Sequence, residues 1–177
     1  MYVRRERPGE EQAVHEVHAA AFRRDRESLE EPVEAGLADE LRSTGAAIPR
    51  LSLVAVVDAA IVGHVVCSRG WIRGDDGVDQ PALGLGPIGV LPDHQNRGIG
   101  QAMMHAVLGA ADALDEPLVA LLGEPAYYSR FGFEPSPGHG IAPPDTAWGD
   151  YFQVRTLTAH RPGVRGTFRY AAPFDGL

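Results

Sequence analysis

The segment Pro92-Asp93-His94-Gln95-Asn96-Arg97-Gly98-Ile99-Gly100 decides the fold of this chain. It joins an apolar stretch, expected to be a strand over 82–91, to the most regular amphipathic pattern in the sequence, expected to be a helix over 98–114. The first N–H groups of a helix lack partners and carry partial positive charge. Gly98 and Gly100 would let an anion approach that backbone. The segment therefore predicts a phosphate site, although a tight turn with packing glycines would have the same sequence.

Strands and helices are expected to alternate on both sides of this segment, which predicts a mixed α/β fold. Strands are expected over 2–6, 51–57, 61–67, 82–91, 118–122, 151–157 and 166–171. Helices are expected from residue 10, from a start at 30–32 to near residue 45, over 98–114 and around 126–131. The proline- and glycine-rich stretch 135–144 predicts a loop. No linker or internal repeat divides the sequence, so a single domain over 1–177 is expected.

Composition narrows the classes of function. The 177 residues include 16 basic and 24 acidic ones, a net charge of −8, which argues against a nucleic-acid partner. All basic residues are arginine, so a lysine Schiff base is excluded. The single cysteine, Cys67, allows neither an intramolecular disulfide nor a multi-cysteine metal site, and no metal is expected. Neither a signal-peptide pattern nor an 18-residue apolar run occurs, so we expect a cytoplasmic protein without a membrane partner.

A second glycine pattern, Gly84-Leu85-Gly86-Pro87-Ile88-Gly89, fits the dinucleotide fingerprint G-x-G-x-x-G. Its context does not fit, because a polar stretch precedes it and Val90-Leu91-Pro92 follows it where a helix should start. These glycines are better explained by a bulge or by a ligand lying against the strand.

Two motifs resemble those of the GNAT-type N-acetyltransferases. Gln95-Asn96-Arg97-Gly98-Ile99-Gly100 matches the pyrophosphate signature Q/R-x-x-G-x-G/A. Tyr128-Ser129-Arg130-Phe131-Gly132-Phe133 is similar to the Y-x-x-x-G-F segment of that family. The order of the expected elements agrees with the family over nearly the whole chain, and the sequence looks like the bacterial branch of predicted acetyltransferases.

The resemblance implies the GNAT fold, with a mixed central sheet of about six to seven strands, splayed between 82–91 and 118–122 and flanked by about four helices. It also implies acetyl-CoA as acyl donor. The pantetheine arm would pair with the backbone of the first splayed strand, at Ile88, Gly89 and Val90. The pyrophosphate would bind the loop, at Gln95, Asn96, Arg97, Gly98, Ile99 and Gly100.

The implied reaction is direct transfer of an acetyl group to a primary amine of a small molecule or peptide. Tyr128 occupies the position of the general acid in the family and would protonate the leaving thiolate. A backbone N–H of Gly89 or Val90 would stabilise the oxyanion. A homodimer is compatible with the resemblance.

The general base is left open by the sequence. Many relatives carry a glutamate on the strand before the phosphate loop, whereas 83–91 contains no carboxylate here. Either a water relay acts or a residue from elsewhere does, the candidates being Glu124, His64, His139 and Asp150. His18 lies on the apolar stripe of the first helix and is expected to be a packed or capping histidine, and Cys67 a small buried residue.

Two other functions compete with the transferase. The missing carboxylate favours a catalytically weak acyl-CoA-binding or sensing module on the same fold, and the anion site alone would suit another nucleotide-binding protein. The acceptor would be selected by 24–50, 71–80 and 134–150. Acidic residues in the first of these form either an acidic rim for a cationic amine or, as we expect, a solvated helix face: Glu27, Glu30, Glu31, Glu34, Asp39 and Glu40.

Overall fold

Strands and helices alternate in the computed structural model, which describes residues 1–23 and 30–175. In those residues the strands are Tyr2–Arg5 (β1), Ala47–Val57 (β2), Ala60–Arg73 (β3), Asp79–Val90 (β4), Leu118–Leu122 (β5), Glu134–Pro135 (β6), Ile141–Ala142 (β7), Phe152–Thr156 (β8) and Gly166–Arg169 (β9). The α-helices are Glu11–Ala21 (α1), Val33–Ser43 (α2), Ile99–Asp112 (α3) and Pro125–Tyr128 (α4). Within this part of the chain, no helix has the length and apolar character that a membrane span requires.

The strands described above form one mixed sheet. Its main order is β1-β2-β3-β4-β5-β8-β6, and β9 pairs with both β3 and β7. The pairs β4–β5 and β7–β9 are parallel, whereas the other pairs are antiparallel. Since β4 and β5 run in the same direction, the chain has to cross over between them, and α3 makes that crossover.

Helices cover both faces of the sheet, and the alternation of β2 shows why. Leu51, Leu53 and Ala55 pack in the core cluster that contains α3. Val54 and Val56 point to the opposite face and pack with Val14 of α1 and Ala38 of α2. Because both faces of the central strands are buried, their sequences are nearly continuous apolar runs rather than alternating ones.

Strand β4 bends and leaves its neighbour β5 after a short parallel contact. The two strands pair only at Leu83 with Val119 and at Gly84 with Ala120. A bulge follows on β4, where Gly86 and Pro87 together oppose a single residue of β3. Between residues 85 and 90, β4 pairs with β3 but with no other strand of the described chain. The predicted splay between these two strands is therefore present.

The structure differs from the sequence-based expectations mainly in strand length. Strand β3 continues past 67 to Arg73, because its end pairs with both β4 and β9. The expected loop at 135–144 contains β7 and the last residue of β6, which raise the strand number to nine in the described residues. Both are two-residue strands held by β8 and β9, and such pairing depends on contacts distant in sequence.

Candidate active site

A cleft of about 590 Å³ opens where β4 leaves β5, and we call it the β4 cleft. Nine of the ten residues expected to bind or react line it: Ile88, Gly89, Val90, Gln95, Asn96, Gly98, Ile99, Gly100 and Tyr128. The tenth, Arg97, is exposed and is not part of the lining. Tertiary structure adds four residues that sequence reasoning missed: His94, Gln101, Tyr127 and Arg130.

The loop before α3 presents backbone N–H groups to this cleft. Asn96 and Gly98 have left-handed φ angles of 59° and 79°, which turn the chain sharply into the helix. Gly98 at the start of α3 provides no capping side chain, so no cap occupies the N–H groups of the first turn. The Gln95 side chain donates a 3.0 Å hydrogen bond to the Val90 carbonyl and ties the loop to β4. Uncapped N–H groups at the positive end of a helix dipole fit an anion.

The hydrogen-bond pattern of β4 distinguishes its last residues from one another. The N–H of Leu91 donates to a carbonyl of β3 at 2.8 Å. Because antiparallel bonds alternate along a strand, the backbone groups of Gly89 also face β3. Those of Ile88 and Val90 face the gap left by β5. The sequence could not distinguish these three residues, and of its two candidate oxyanion donors only the Val90 N–H faces the gap.

The two adjacent tyrosines of α4 occupy different parts of the cleft. Their ring centroids lie 5.0 Å apart at an interplanar angle of 88°. The ring of Tyr128 lies against Gly123, just after β5, and leaves no room there for a side chain. The Tyr127 hydroxyl instead lies 3.1 Å from where a Cβ of Gly100 would be, at the start of α3. Tyr128 thus lies beside the end of β5, and Tyr127 lies beside the loop that precedes α3.

Burial raises the pKa of the Tyr128 phenol to about 12, with a smaller contribution from Tyr127. The phenol is therefore protonated at neutral pH and can donate a proton or a hydrogen bond. At the other tyrosine, the Arg130 guanidinium carbon lies 4.8 Å from the ring centroid of Tyr127, which places a cation at the edge of the cleft.

None of the four base candidates from the sequence lines the β4 cleft. Glu124 and Asp150 are exposed, and His139 pairs with Glu134 at 2.9 Å. His64 is buried in β3. Among the described residues, no group of three or more His, Cys, Asp or Glu side chains is arranged to hold a metal ion.

Cys67 is buried in the core, as the sequence predicts. Burial raises the pKa of its thiol, with a smaller contribution from Glu116, so the nucleophilic thiolate is disfavoured.

A series of hydrogen-bonded polar side chains lies next to β4. We call its members, Glu6, Ser52, His64 and His18, the His18 network. Ser52 donates its hydroxyl hydrogen to the Glu6 carboxylate, and the Ser52 oxygen is 2.9 Å from His64 Nε2. His64 Nδ1 is 2.7 Å from His18 Nε2. The sequence predicts a packed or capping role for His18 because it lies on an apolar stripe. Nothing in the sequence indicates its partners in β2, in β3 and just after β1.

The acidic residues of 27–40 are only partly described, since Glu27 lies outside the described residues. Glu31 and Asp39 both pair with His15, at 2.7 Å and 2.6 Å. Hydrogen bonds to Glu31 and then to Asp39 raise the pKa of His15. These two carboxylates are therefore engaged within the protein.

Comparison with known proteins assigns this chain to a class of acyl-transferring enzymes. The family model described as "Acetyltransferase (GNAT) domain" matches residues 2–136. YjhQ of Escherichia coli K12, named an uncharacterized N-acetyltransferase, is 30% identical over 145 residues, 79% of each chain. YhbS of the same strain, also named an uncharacterized N-acetyltransferase, is 30% identical over 152 residues, covering 85% of this chain and 88% of YhbS.

Solved structures support the same assignment over the whole length. The crystal structure of E. coli YhbS in complex with CoA superposes with a TM-score of 0.85, at 27% identity, covering 98% of this chain and 91% of that one. A GNAT family acetyltransferase from Brucella melitensis, in complex with acetyl-CoA, gives a TM-score of 0.75 at 30% identity, covering 98% and 97%. This chain belongs to the GNAT acetyltransferase family, and the predicted α/β fold class is confirmed.

Proposed function

We propose that this chain is an acetyl-CoA-dependent N-acetyltransferase that transfers an acetyl group directly to a primary amine of a small molecule or peptide. One observation carries the proposal: the free edge of β4, the uncapped start of α3 and Tyr128 meet in one cleft. The relatives crystallised with CoA and acetyl-CoA support it. A single domain over 1–177 and a homodimer remain predictions.

The loop 95–100 would hold the diphosphate of the donor. The N–H groups of this loop would supply most of the attraction to the diphosphate, because backbone N–H groups can bind an anion without the burial of a charged side chain. Gly98 leaves the loop face open, since a Cβ there would meet no atom within 4 Å. Arg97 and Arg130 add positive charge at longer range.

Along β4, the backbone groups of Ile88 and Val90 would receive the pantetheine arm as an added strand. Gln95 already occupies the Val90 carbonyl, which leaves the Val90 N–H as the donor for the acetyl carbonyl oxygen. The donor supplies an acetyl group activated as a thioester.

Tyr128 would donate its phenolic proton to the leaving sulfur as the C–S bond breaks. Its position beside the end of β5 and its raised pKa suit a general acid that stays protonated until used. Tyr127, beside the loop, is better placed to contact the donor's polar groups than its thioester.

The lack of a carboxylate over 83–91 favours a second candidate, an acyl-CoA-binding or sensing module of low activity. Release of CoA thiol from acetyl-CoA, measured with ethanolamine, putrescine, lysine and an N-terminal alanine peptide, separates the two. Turnover well above hydrolysis supports the transferase. Stabilisation by acetyl-CoA in a thermal shift without any turnover supports the module. A larger shift with ATP or NAD than with acetyl-CoA would contradict both.

A further inference from the structure

The Nδ1 atom of His18 is buried without a hydrogen-bond partner among the described residues. It lies 3.0 Å from where a Cβ of Gly89 would be, next to the Cβ of Ala21. Buried polar atoms are nearly always hydrogen-bonded, so a free one beside β4 requires an explanation. Only glycine at position 89 lets the imidazole ring approach the strand this closely.

The hydrogen-bond chain fixes what that atom is. Ser52 donates to Glu6, so its oxygen must accept the Nε2–H of His64. His64 Nδ1 is then a lone pair and must accept the Nε2–H of His18. His18 Nδ1 is left as a bare lone pair, which can accept a proton or a hydrogen bond and cannot donate one.

The anchor of the chain is the Glu6 carboxylate. Burial alone would raise its pKa, but hydrogen bonds from His64 and Ser52 outweigh burial and lower the pKa to about 2. Arg42 also donates to Glu6 at 2.7 Å. Glu6 is therefore ionised at working pH and keeps both histidines in the Nε2–H tautomer.

His18 does not itself line the β4 cleft, but its Nδ1 lies next to Gly89, which does. His64 and Gly89 are cross-strand partners, so His18 lies over both on the same face of the sheet. Gly89 stands between Ile88 and Val90, whose backbone groups face the gap. Strand β4 itself offers no carboxylate over 83–91 that could act as the base.

We propose that His18 Nδ1 is the base that removes the proton of the acceptor ammonium, through one bridging water, with His64 and Glu6 as positioning residues. The inference rests on the proposed function. A transient imidazolium at His18 would be stabilised through His64 toward the Glu6 carboxylate, much as a buried carboxylate supports a catalytic histidine elsewhere. A cavity of about 320 Å³, lined by Glu6, Ser52 and His64, connects the far end of the network to solvent.

The step balances in atoms and charge. The ammonium passes one proton through the water to His18, and the freed lone pair forms the C–N bond with the acetyl carbon. The C–S bond breaks as Tyr128 protonates the thiolate, and the proton lost by the new amide nitrogen restores the phenol. His18 then returns its proton to water. An ammonium and a thioester thus give an amide, a thiol and one proton in solution.

Several charges act on His18 from the surrounding elements. Burial, with smaller contributions from His64, His15 and Arg42, lowers its pKa to about 2, and Glu6 opposes this shift. Asp39 and Glu6 oppose the burial that lowers the pKa of His64. His18 is therefore neutral at rest, and as a weak base it would hold a proton only transiently before passing it to solvent.

The test uses His18→Gln in the full chain. A glutamine amide can replace Nε2–H toward His64 but offers no base at the Nδ1 position, so a merely structural role would survive. We expect kcat with the best amine of the panel to fall about 100-fold or more at pH 7, with KM for acetyl-CoA nearly unchanged. His15→Gln, one turn earlier and outside the His18 network, is the matched control and should keep wild-type turnover.

The pH dependence of kcat/KM tests the proposed base more directly. An amine has a pKa of about 10, so an enzyme without a base reacts only with its small neutral fraction. For His18→Gln, log kcat/KM should rise with a slope of about 1 from pH 6 to 9, whereas the wild-type profile should be flatter. Equal profiles, or turnover of His18→Gln within threefold of wild type, would overturn the proposal.

A readout without any acceptor separates this inference from the proposed function. Nitrogen-15 NMR of the wild-type chain should show His18 neutral with Nδ1 unprotonated from pH 6 to 8, and Glu6→Gln should disturb that tautomer. A protonated Nδ1 would reject the base even if the amine panel succeeds. An amine panel without turnover would instead reject the transferase, whatever the NMR shows.

Discussion

The loop 92–100 and the His18 network lie at the same end of β4 but are built in opposite ways. The loop is one continuous segment whose chemistry comes from backbone N–H groups and two glycines. The network takes one side chain each from α1, β2 and β3 and a fourth, Glu6, from the residue that follows β1. A backbone anion site needs only local geometry, whereas a base with a fixed tautomer needs several partners that are distant in sequence. The loop would bind the donor, and the network would activate the acceptor.

The strongest test of the loop is a charge placed on its open face. Gly98→Asp should weaken acetyl-CoA binding at least about 100-fold, because a carboxylate would oppose the diphosphate. Isothermal titration calorimetry measures the dissociation constant directly. Gly98→Asn is the matched control, since asparagine has nearly the same shape, tolerates left-handed φ and carries no charge. Equal binding by Asp and Asn variants would remove the loop from the donor site.

The next effect concerns Tyr128, the proposed general acid. Tyr128→Phe should lower kcat about 100-fold, with little change in KM for acetyl-CoA, because the hydroxyl acts in the transition state. Steady-state kinetics with thiol detection separates the two constants. Tyr127→Phe, a hydroxyl removed one residue away, should change kcat by no more than about threefold. A larger loss for Tyr127→Phe than for Tyr128→Phe would exchange their roles.

Within the network, Glu6→Gln should lower kcat about tenfold or more, because a neutral amide no longer fixes the tautomers of His64 and His18. Circular dichroism and CoA binding should show that the fold and the donor site are intact. Turnover at the wild-type level would mean that the histidines are held in place without the carboxylate.

The same substitution predicts a pH-dependent stability difference. Glu6 titrates lower in the folded chain than its ordinary value of 4.5, so its contribution is complete above that pH and is lost as the pH falls toward 2. Allowing for solvent screening, we expect wild type to exceed Glu6→Gln by about 1–2 kcal/mol in the free energy of unfolding at pH 7. Urea denaturation at pH 7, 5 and 3 should show this gap narrowing only below 4.5.

The smallest expected effect is at Arg97, which is exposed beside the loop. Arg97→Ala should raise KM for acetyl-CoA about two- to threefold and leave kcat unchanged, because an exposed charge contributes weakly and is screened by salt. An increase above about tenfold would mean that side-chain charge, rather than the backbone, carries the donor site.

Features encoded within a short stretch could be predicted from sequence. The glycine-spaced loop, the amphipathic helix behind it and the 118–122 strand follow from spacing and apolar periodicity alone. The tyrosine motif predicted Tyr128 as a site residue, and Tyr128 lies in the cleft. Tyr127 and Arg130, beside and within the same motif, also line the cleft although the sequence assigned them no site role. The two-residue strands β6 and β7 were missed because their pairing depends on β8 and β9.

By itself, then, the sequence determined the α/β class and the family resemblance and predicted a backbone anion site before α3, since local hydrogen bonding and side-chain periodicity encode these features. Tertiary structure decided the rest. It brought His18 to within van der Waals distance of β4 at Gly89, left its Nδ1 without a partner, and linked it to a carboxylate twelve positions earlier in the chain through two other strands. A hydrogen bond acts over about 3 Å, and only the packed sheet brings those side chains to that distance.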